Sequence, residues 1–221
     1  MKRPTMKHAC SLFNALLLVA LAKDLPLHAE TTPSTPTAAS PMKAEQLCVW
    51  KKSDLPETFE EGVFIKGESV GVLSSLSFAL WMRVDNLVES RTPILAAENR
   101  GNLPGFHLSL LKNGTLALSI HNGRDWIHTV ADKEVPVGSW HHVAVVCDVQ
   151  RGGSISFYID GNPAGTQPLD LETPLEMNSY RLGAWPRSPG HFHGAMDDVR
   201  LYSGLLQCDE IPEIMGAPRM E

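Results

Sequence analysis

The sequence has 221 residues and a formal net charge of -6 at pH 7, and 43% of its residues are hydrophobic. That length suits one β domain of up to about 200 residues with attached segments. The hydrophobic fraction is ordinary for a chain with a buried core. The acidic balance, without a Lys/Arg cluster, argues against nucleic acid as a partner, because neutralising phosphates requires a basic face.

Residues 1–29 predict a signal peptide. A basic start precedes an apolar run at 12–22, which is shorter than the roughly 20 apolar residues that cross a bilayer. Cleavage is expected after Ala22 or after Ala29, and an uncleaved N-terminal anchor is the alternative. We therefore expect an exported protein, either secreted or held at the cell surface or in the periplasm, with no transmembrane helix in the mature chain.

Residues 30–46 are rich in Pro, Ser, Thr and Ala. Such a stretch buries too little apolar surface to offset the entropy lost on ordering, so a linker is expected here. One domain is expected to follow, over residues 47–215.

The first half of that domain consists of short apolar runs separated by turn residues. Residues 63–67 and 70–72 predict a first hairpin or a broken strand. Residues 76–84 alternate, with Phe78, Leu80 and Met82 on one side, and Trp81 on the other side suggests that both faces are partly covered. Further strands are predicted at 93–97, 105–111, 115–121 and 126–130, with Asn113-Gly114 as a hairpin turn.

A long hairpin dominates the second half, with strands at 139–148 and 154–160 and a turn at 161–163. Later strands are predicted at 179–185 and 192–202, and residues 203–215 predict a short cap or helical turn. After the predicted signal peptide, no stretch has apolar residues at helical spacing over the length of an ordinary α-helix. Many short strands with regularly spaced turns predict an all-β, two-sheet antiparallel sandwich.

Three motifs carry a family resemblance. They are LSFALWMRV, then SWHHVAVVCD followed by GSISFYIDGNPAG, and lastly FHGAMDDVRLYSGLLQCDEI. In that order they resemble the laminin-G-like jelly roll of the concanavalin A-like lectin/glucanase superfamily, over roughly residues 60–212. The resemblance implies that Trp81 and Trp140 fill the core between the sheets. Asp197, Asp198 and Arg200 are expected to form hydrogen bonds or an ion pair at a strand edge.

The paired carboxylates used by glycanases of this superfamily are missing. Those enzymes carry a Glu-x-Asp-x-x-Glu strand that places two acids on one face. Here Asp197 and Asp198 are adjacent and are expected to point to opposite faces, while Glu172 and Glu176 flank a proline. No G-x-S-x-G elbow occurs, and a Ser/His/Asp set cannot be placed. A non-catalytic protein is therefore expected.

Calcium is implied by the resemblance, since related domains bind the ion at the sandwich rim through loop oxygens. The corresponding residues here are Glu98, Asn99 and Asn178. His191 and His193 stand two apart, a spacing that suits either a metal with a third ligand or ordinary structural histidines.

Three cysteines follow the predicted signal peptide: Cys48, Cys147 and Cys208. Export permits a disulfide. Since terminal strands of jelly rolls are often neighbours, a Cys48–Cys208 bond is expected, with Cys147 as a buried thiol. An intermolecular bond, or none, is the alternative.

Sugar binding would need an exposed aromatic side chain with polar groups nearby. The candidates are two tryptophans and their neighbours: Arg124, Asp125, Trp126 and His128, and Trp185 with Arg187. The alternative is that both tryptophans plug the ends of the sandwich. We expect an exported, non-catalytic module that binds a glycan or glycoprotein. A structural or adhesion domain that contacts another surface protein is the second hypothesis, and a glycan-active enzyme is the third.

Overall fold

The computed structural model describes residues 44–65, 71–98, 105–122, 124–150, 152–169, 171, 175–177, 179–186 and 188–216. All of these lie in the unit Pro41–Glu221. The expected signal peptide and nearly all of the expected linker lie outside the described residues. The first strand begins at Glu45, two residues before the expected start of the domain. Within the described ranges, no helix is long and apolar enough to cross a membrane.

The first sheet has six antiparallel strands in the described part of the chain. Its spatial order is β1 (Glu45–Trp50), β14 (His193–Ser203), β4 (Ser75–Asn86), β9 (Trp140–Asp148), β10 (Gly153–Ile159) and β11 (Asn162–Leu169). Because β1 pairs with β14, the two ends of the domain meet in one sheet. The segment that follows β14 ends in helix α1 (Glu210–Met215), so the expected C-terminal cap is confirmed.

The second sheet also has six antiparallel strands within the described residues. Its spatial order is β2 (Val63–Ile65), β13 (Ser179–Leu182), β5 (Arg91–Glu98), β6 (Phe106–Leu111), β7 (Thr115–His121) and β8 (Trp126–Glu134). A separate two-stranded ribbon joins β3 (Gly71–Leu73) to β12 (Leu175–Met177). The predicted hairpin between 63–67 and 70–72 is therefore wrong, since β2 pairs with β13. A lone hairpin of such short strands is marginal, and each strand instead extends a long-range ladder.

Alternation builds the core between the two sheets. Phe78, Leu80 and Met82 of β4 are buried in it, as the sequence predicts. They pack with residues such as Leu108 and Leu118 of the second sheet. The two-sheet antiparallel sandwich expected from the sequence is confirmed.

The opposite face of the first sheet is also covered. A second buried cluster includes Tyr158, Tyr202, Leu206 and Ile211 of α1. Trp81 lies on this covered face, where its Nε1 donates a hydrogen bond to the Met215 carbonyl at 3.1 Å. The expectation that both faces of β4 are covered is confirmed.

The implied place of two tryptophans between the sheets is wrong. Trp81 is buried outside the inter-sheet core cluster, with its ring 5.5 Å from that of His142. Trp140 is half-buried, with the Lys52 ammonium and the Arg83 guanidinium 5.8 and 5.9 Å from its ring. In the β4–β9 ladder, Trp81 pairs with His142 and Trp140 pairs with Arg83. These positions alternate with the core residues of both strands, so both tryptophans point away from the inter-sheet core.

The predicted central hairpin is confirmed as β9–β10. Its strand β10 continues into a strand that the sequence did not predict, β11, through the two-residue turn Asp160-Gly161. Both turn residues have positive φ, at 49° and 73°, as a tight hairpin of this kind requires. β11 contains Pro163 and Pro168 and lies at the sheet edge, where a missing N–H leaves no ladder bond unmade.

Candidate functional site

Strands β6, β7 and β8 place alternate side chains on the two faces of the second sheet. Leu108 and Leu118 belong to the core, so their chain neighbours His107 and Ser119 point the other way. His107 pairs with Ser119, and Ser119 pairs with His128. Directly opposed residues share a face. These three polar side chains therefore form a row across the face turned away from the core, which we call the outer face.

Four aromatic rings form a cluster at one end of this row. The ring centroids of His107 and Trp126 are 4.6 Å apart with an interplanar angle of 33°, and those of His107 and Trp185 are 5.3 Å apart. The His121 ring lies 5.2 Å from Trp126. Trp126 keeps 41% of its surface exposed. The structure thus unites the two tryptophans predicted as separate candidates, with His107 between them. The result is a supported indole that is open to solvent.

A hydrogen-bonded chain runs beside the cluster. Arg91 Nη1 donates to Ser119 Oγ at 2.9 Å, and that hydroxyl lies 2.8 Å from His128 Nδ1. A guanidinium can only donate, so the Ser119 hydroxyl accepts from Arg91. The same hydroxyl is hydrogen-bonded to His128 Nδ1, which fixes the orientation of that ring. The outer face thus presents oriented polar groups next to an exposed indole.

His107 is held neutral within the cluster. Burial, and then the nearby charge of Arg91, lower its pKa from the ordinary 6.5 to about 4. A neutral imidazole stacks on the Trp126 ring without a charge to desolvate. His107 therefore supports the indole at physiological pH.

The turn before β8 displays two of the predicted site residues. The Asn122 side-chain oxygen accepts hydrogen bonds from the backbone N–H groups of Arg124 at 2.9 Å and Asp125 at 2.8 Å. Arg124 and Asp125 are exposed at this turn. They thus stand at the rim of the cluster, immediately before Trp126.

Of the predicted ligand-binding residues, Arg124, Asp125, Trp126, His128 and Trp185 fall in this region, and Arg187 lies outside the described residues. Sequence reasoning missed four members: Arg91, His107, Ser119 and His121. The sequence did contain a signal for His107. Alternation in Phe106-His107-Leu108-Ser109-Leu110 places it on the face of β6 that points away from the core leucines. No comparable local signal marks Arg91.

The predicted calcium residues are only partly described. Glu98 ends β5, where its backbone pairs with Ser179 of β13. Asn99 and Asn178 lie outside the described residues. In the described part of the chain, no group of three or more His, Cys, Asp or Glu side chains is placed to hold a metal ion. The rings of His191 and His193 are 4.2 Å apart.

The expected Cys48–Cys208 disulfide is not formed, and Cys48 and Cys147 are free thiols. Cys48 Sγ lies 3.3 Å from the Tyr180 hydroxyl, and Cys208 Sγ lies 3.3 Å from the Tyr158 hydroxyl. Tyr180 belongs to the inter-sheet core, whereas Tyr158 belongs to the cluster under α1. The two thiols therefore point to opposite sides of the first sheet. Cys147 is buried as predicted, and burial raises its pKa to about 12.

A Ser/His/Asp chain of hydrogen bonds occurs in the first sheet, although the sequence did not allow it to be placed. Asp160 Oδ2 lies 2.7 Å from His141 Nδ1, and His141 Nε2 lies 2.9 Å from Ser139 Oγ. Asp160 Oδ1 also accepts from the backbone N–H of His142 at 2.9 Å. The carboxylate therefore joins the β10–β11 turn to the start of β9.

Serine catalysis needs more than these three groups. The substrate oxygen that becomes negatively charged must also meet preorganised hydrogen-bond donors at about 3 Å. The N–H of Gly138, directly before Ser139, already donates to the Val84 carbonyl at 2.8 Å. The geometry thus favours a structural role for the hydrogen-bonded series Ser139–His141–Asp160.

The adjacent acids of β14 also have structural partners. Asp198 accepts a two-pronged contact from Arg200, at 2.8 and 2.7 Å, and a bond from Lys51 at 2.6 Å. Asp197 Oδ1 accepts from the Lys52 backbone N–H at 2.8 Å. The predicted ion pair at this edge is confirmed. Together these bonds fix the segment after β1 against β14.

Comparison with known proteins decides the family. The family model described as the concanavalin A-like lectin/glucanases superfamily, of laminin-G type, matches residues 60–212. The chain belongs to this laminin-G-like family. A zebrafish (Danio rerio) relative, adhesion G-protein coupled receptor V1, is 34% identical over 83 residues. That match covers 36% of this chain and 1% of the receptor.

Solved structures share this laminin-G-like fold at low identity. The SAP-like pentraxin of Limulus polyphemus has a TM-score of 0.55 at 15% identity, covering 72% of this chain and 78% of its own. The CBM40 of a Ruminococcus gnavus sialidase, bound to α2,3-sialyllactose, has a TM-score of 0.55 at 18% identity, covering 71% and 96%. Domain 4 of the arabinanase AbnA from Geobacillus stearothermophilus, bound to arabinotriose, has a TM-score of 0.53 at 15% identity, covering 78% and 98%.

Proposed function

We propose that this chain is a non-catalytic glycan-binding module and that its ligand binds on the outer face of the second sheet. The observation that carries this proposal is the exposed Trp126 indole, supported from below by His107 and flanked by Trp185. A sugar ring presents apolar C–H groups that pack on an aromatic face, and its hydroxyls need nearby hydrogen-bond partners.

Polar groups for those hydroxyls lie on the same face. His128 follows Trp126 by two residues on β8, so both side chains project to the same side, roughly 7 Å apart along the strand. The His128 ring is oriented by Ser119. Arg124 and Asp125 at the rim supply further donors and acceptors. The combination of one stacking surface and a few oriented polar groups is typical of sugar sites.

The test is a glycan array probed with the purified full chain and two variants. Trp126→Ala removes the exposed indole, and Trp140→Ala removes a half-buried tryptophan of the other sheet. Binding of a defined glycan class that Trp126→Ala abolishes and Trp140→Ala retains supports the proposal. A folded chain that binds no glycan, or binds equally well without Trp126, overturns it and favours a protein-contact domain.

Calcium is a second element of the proposal, drawn from the residues around the β5–β13 ladder. Asn99 follows Glu98 in sequence and Asn178 precedes Ser179, and Glu98 pairs with Ser179. Three such side chains would supply a part of the six to eight oxygens that calcium takes. Running the array with calcium and again with chelator tests this element. Unchanged binding in chelator, together with no heat of calcium binding by calorimetry, would remove it.

Export is the third element, and it rests on the basic start and the apolar run at 12–22. Expression of the full chain with its own N-terminus, followed by N-terminal sequencing of the exported protein, tests it. Cleavage after Ala22 or Ala29 is the expected result. A chain retained inside the cell with an intact N-terminus would contradict it.

A further inference from the structure

Arg91 reaches across the outer face from the start of β5. Its backbone pairs with Leu111, yet its Nη1 bonds Ser119 Oγ at 2.9 Å, two strands away on β7. Ser109 and Ala117 occupy the same face between these points and are 0% and 1% exposed. Their burial agrees with the Arg91 stem lying over them, as long cationic side chains commonly do. The guanidinium is thus placed in the middle of the outer face.

The charge of this guanidinium has no acidic partner among the described residues. The lysine and arginine ion pairs found there involve other cations: Lys51, Arg83 and Arg200. Arg91 makes one side-chain hydrogen bond within the described part, through Nη1. A guanidinium has five N–H donors in a planar fork. Most of that fork is therefore available to a ligand.

The groups next to Arg91 do not neutralise it. His107 is uncharged and stacked in the aromatic cluster. Ser119 and His128 are hydrogen-bonded to each other at 2.8 Å, and neither side chain carries a negative charge. The centre of the outer face is thus rich in donors and positively charged, in a chain whose overall charge is -6.

We propose that the ligand of this site is an acidic glycan, and that Arg91 binds the carboxylate of a sialic or uronic acid residue while the sugar ring stacks on Trp126. This inference rests on the proposed glycan-binding function. A carboxylate matches the guanidinium fork with two parallel hydrogen bonds. The His128 ring, two residues from Trp126, lies on the same face and can hydrogen-bond a neighbouring sugar hydroxyl.

Matched pairs of sugars test the charge requirement. Titration calorimetry compares the full chain with sialyllactose against lactose, and with a glucuronate-containing oligosaccharide against its neutral counterpart. We expect at least one acidic member to bind about tenfold or more tightly than its neutral partner, as a charge-assisted hydrogen bond commonly provides. Arg91→Gln should remove this preference, and Arg91→Lys, which keeps the charge without the fork, should restore it only in part.

Arg83→Gln is the control, because it removes an arginine charge from β4 in the other sheet and leaves the outer face of the second sheet intact. Circular dichroism and thermal melting verify that each variant is folded, and an acidic peptide serves as a competitor that carries carboxylates without a sugar ring. If neutral and acidic sugars bind alike and Arg91→Gln has no effect, the inference is wrong while glycan binding stands. If no sugar binds at all, or the peptide alone binds through Arg91, both proposals fail.

Discussion

His142 makes the stability of this domain dependent on pH. The side chain lies in β9 and is 2% exposed, beside the Trp81 ring, and its Nδ1 has no hydrogen-bond partner among the described residues. Burial is the main reason that its pKa falls from 6.5 to about 4. The charge of Arg200 lowers it further, against the opposing effects of Asp160 and Asp198. A protonated ring in this position would be a poorly solvated charge.

The magnitude follows from the interval between the two pKa values. In the unfolded chain His142 binds a proton below pH 6.5, whereas in the folded chain it does so only below about pH 4. Between these values the unfolded state binds more protons, so stability falls as the pH is lowered. At about 1.36 kcal/mol per pH unit, lowering the pH across this interval reduces the free energy of unfolding by about 3 kcal/mol. Above pH 6.5 this contribution is constant.

The assay is urea unfolding of the wild-type chain and of His142→Gln, at intervals from pH 8 to pH 4. The free-energy difference between the two proteins should change by about 3 kcal/mol across this range, with the wild type losing more. His107, whose pKa is also lowered to about 4, titrates in both proteins and cancels in the comparison. His191→Gln, at a half-exposed histidine, is the matched control.

Parallel curves for the wild type and His142→Gln would refute this reasoning. They would mean that the folded protein solvates the protonated ring, for example by opening the segment around α1. An NMR titration of the ring proton provides an independent check. A midpoint near 6.5 for His142 in the folded chain would lead to the same rejection.

Three further results are expected. Gly183→Ala should lower the free energy of unfolding by about 2–4 kcal/mol. The reason is that φ is +72° at this position and an added Cβ would collide with the Phe59 ring. Urea unfolding measures the loss, and a value under 1 kcal/mol would show that the ring moves aside. Asp198→Asn should lose about 2 kcal/mol at pH 7. Burial alone would raise the pKa of Asp198, but the hydrogen bonds and charges of Arg200 and Lys51 outweigh it and lower the pKa from 3.8 to about 2. The difference from wild type should therefore persist above pH 3.8 and vanish as the pH falls through 2, and a constant difference would contradict the ion pair. Ser139 should resist a fluorophosphonate probe that labels catalytic serines, and stoichiometric labelling detected by mass spectrometry would revive the enzyme hypothesis.

Local sequence signals were sufficient for most strands and for the fold class. Alternation in 76–84 identified the buried side of β4, and the turn predicted at 161–163 gave the end of β10 to within one residue. These signals are local, because the period of a strand and the φ preferences of turn residues act over a few positions. They failed for β11, where Pro163 and Pro168 resemble a loop. Only its position at the sheet edge makes those prolines compatible with a strand.

The site depended on contacts that no local pattern contains. Trp126 and Trp185 were recognised one at a time from their neighbours in sequence, but His107 joins them through space. Arg91 meets Ser119 because β5, β6 and β7 lie side by side. The same dependence explains the wrong disulfide, since β1 and the segment after β14 are neighbours while Cys48 and Cys208 point to opposite sides of the sheet.

The amino-acid sequence by itself thus determined an all-β sandwich of the laminin-G-like family, its central hairpin and its two candidate tryptophans. Tertiary structure alone decided that these tryptophans share one cluster, that a cationic fork lies beside them and that the cysteines are apart. The reason is physical. Strand period and turn chemistry are properties of a few consecutive residues, whereas a site is created by strand order and register, which bring distant side chains onto one face.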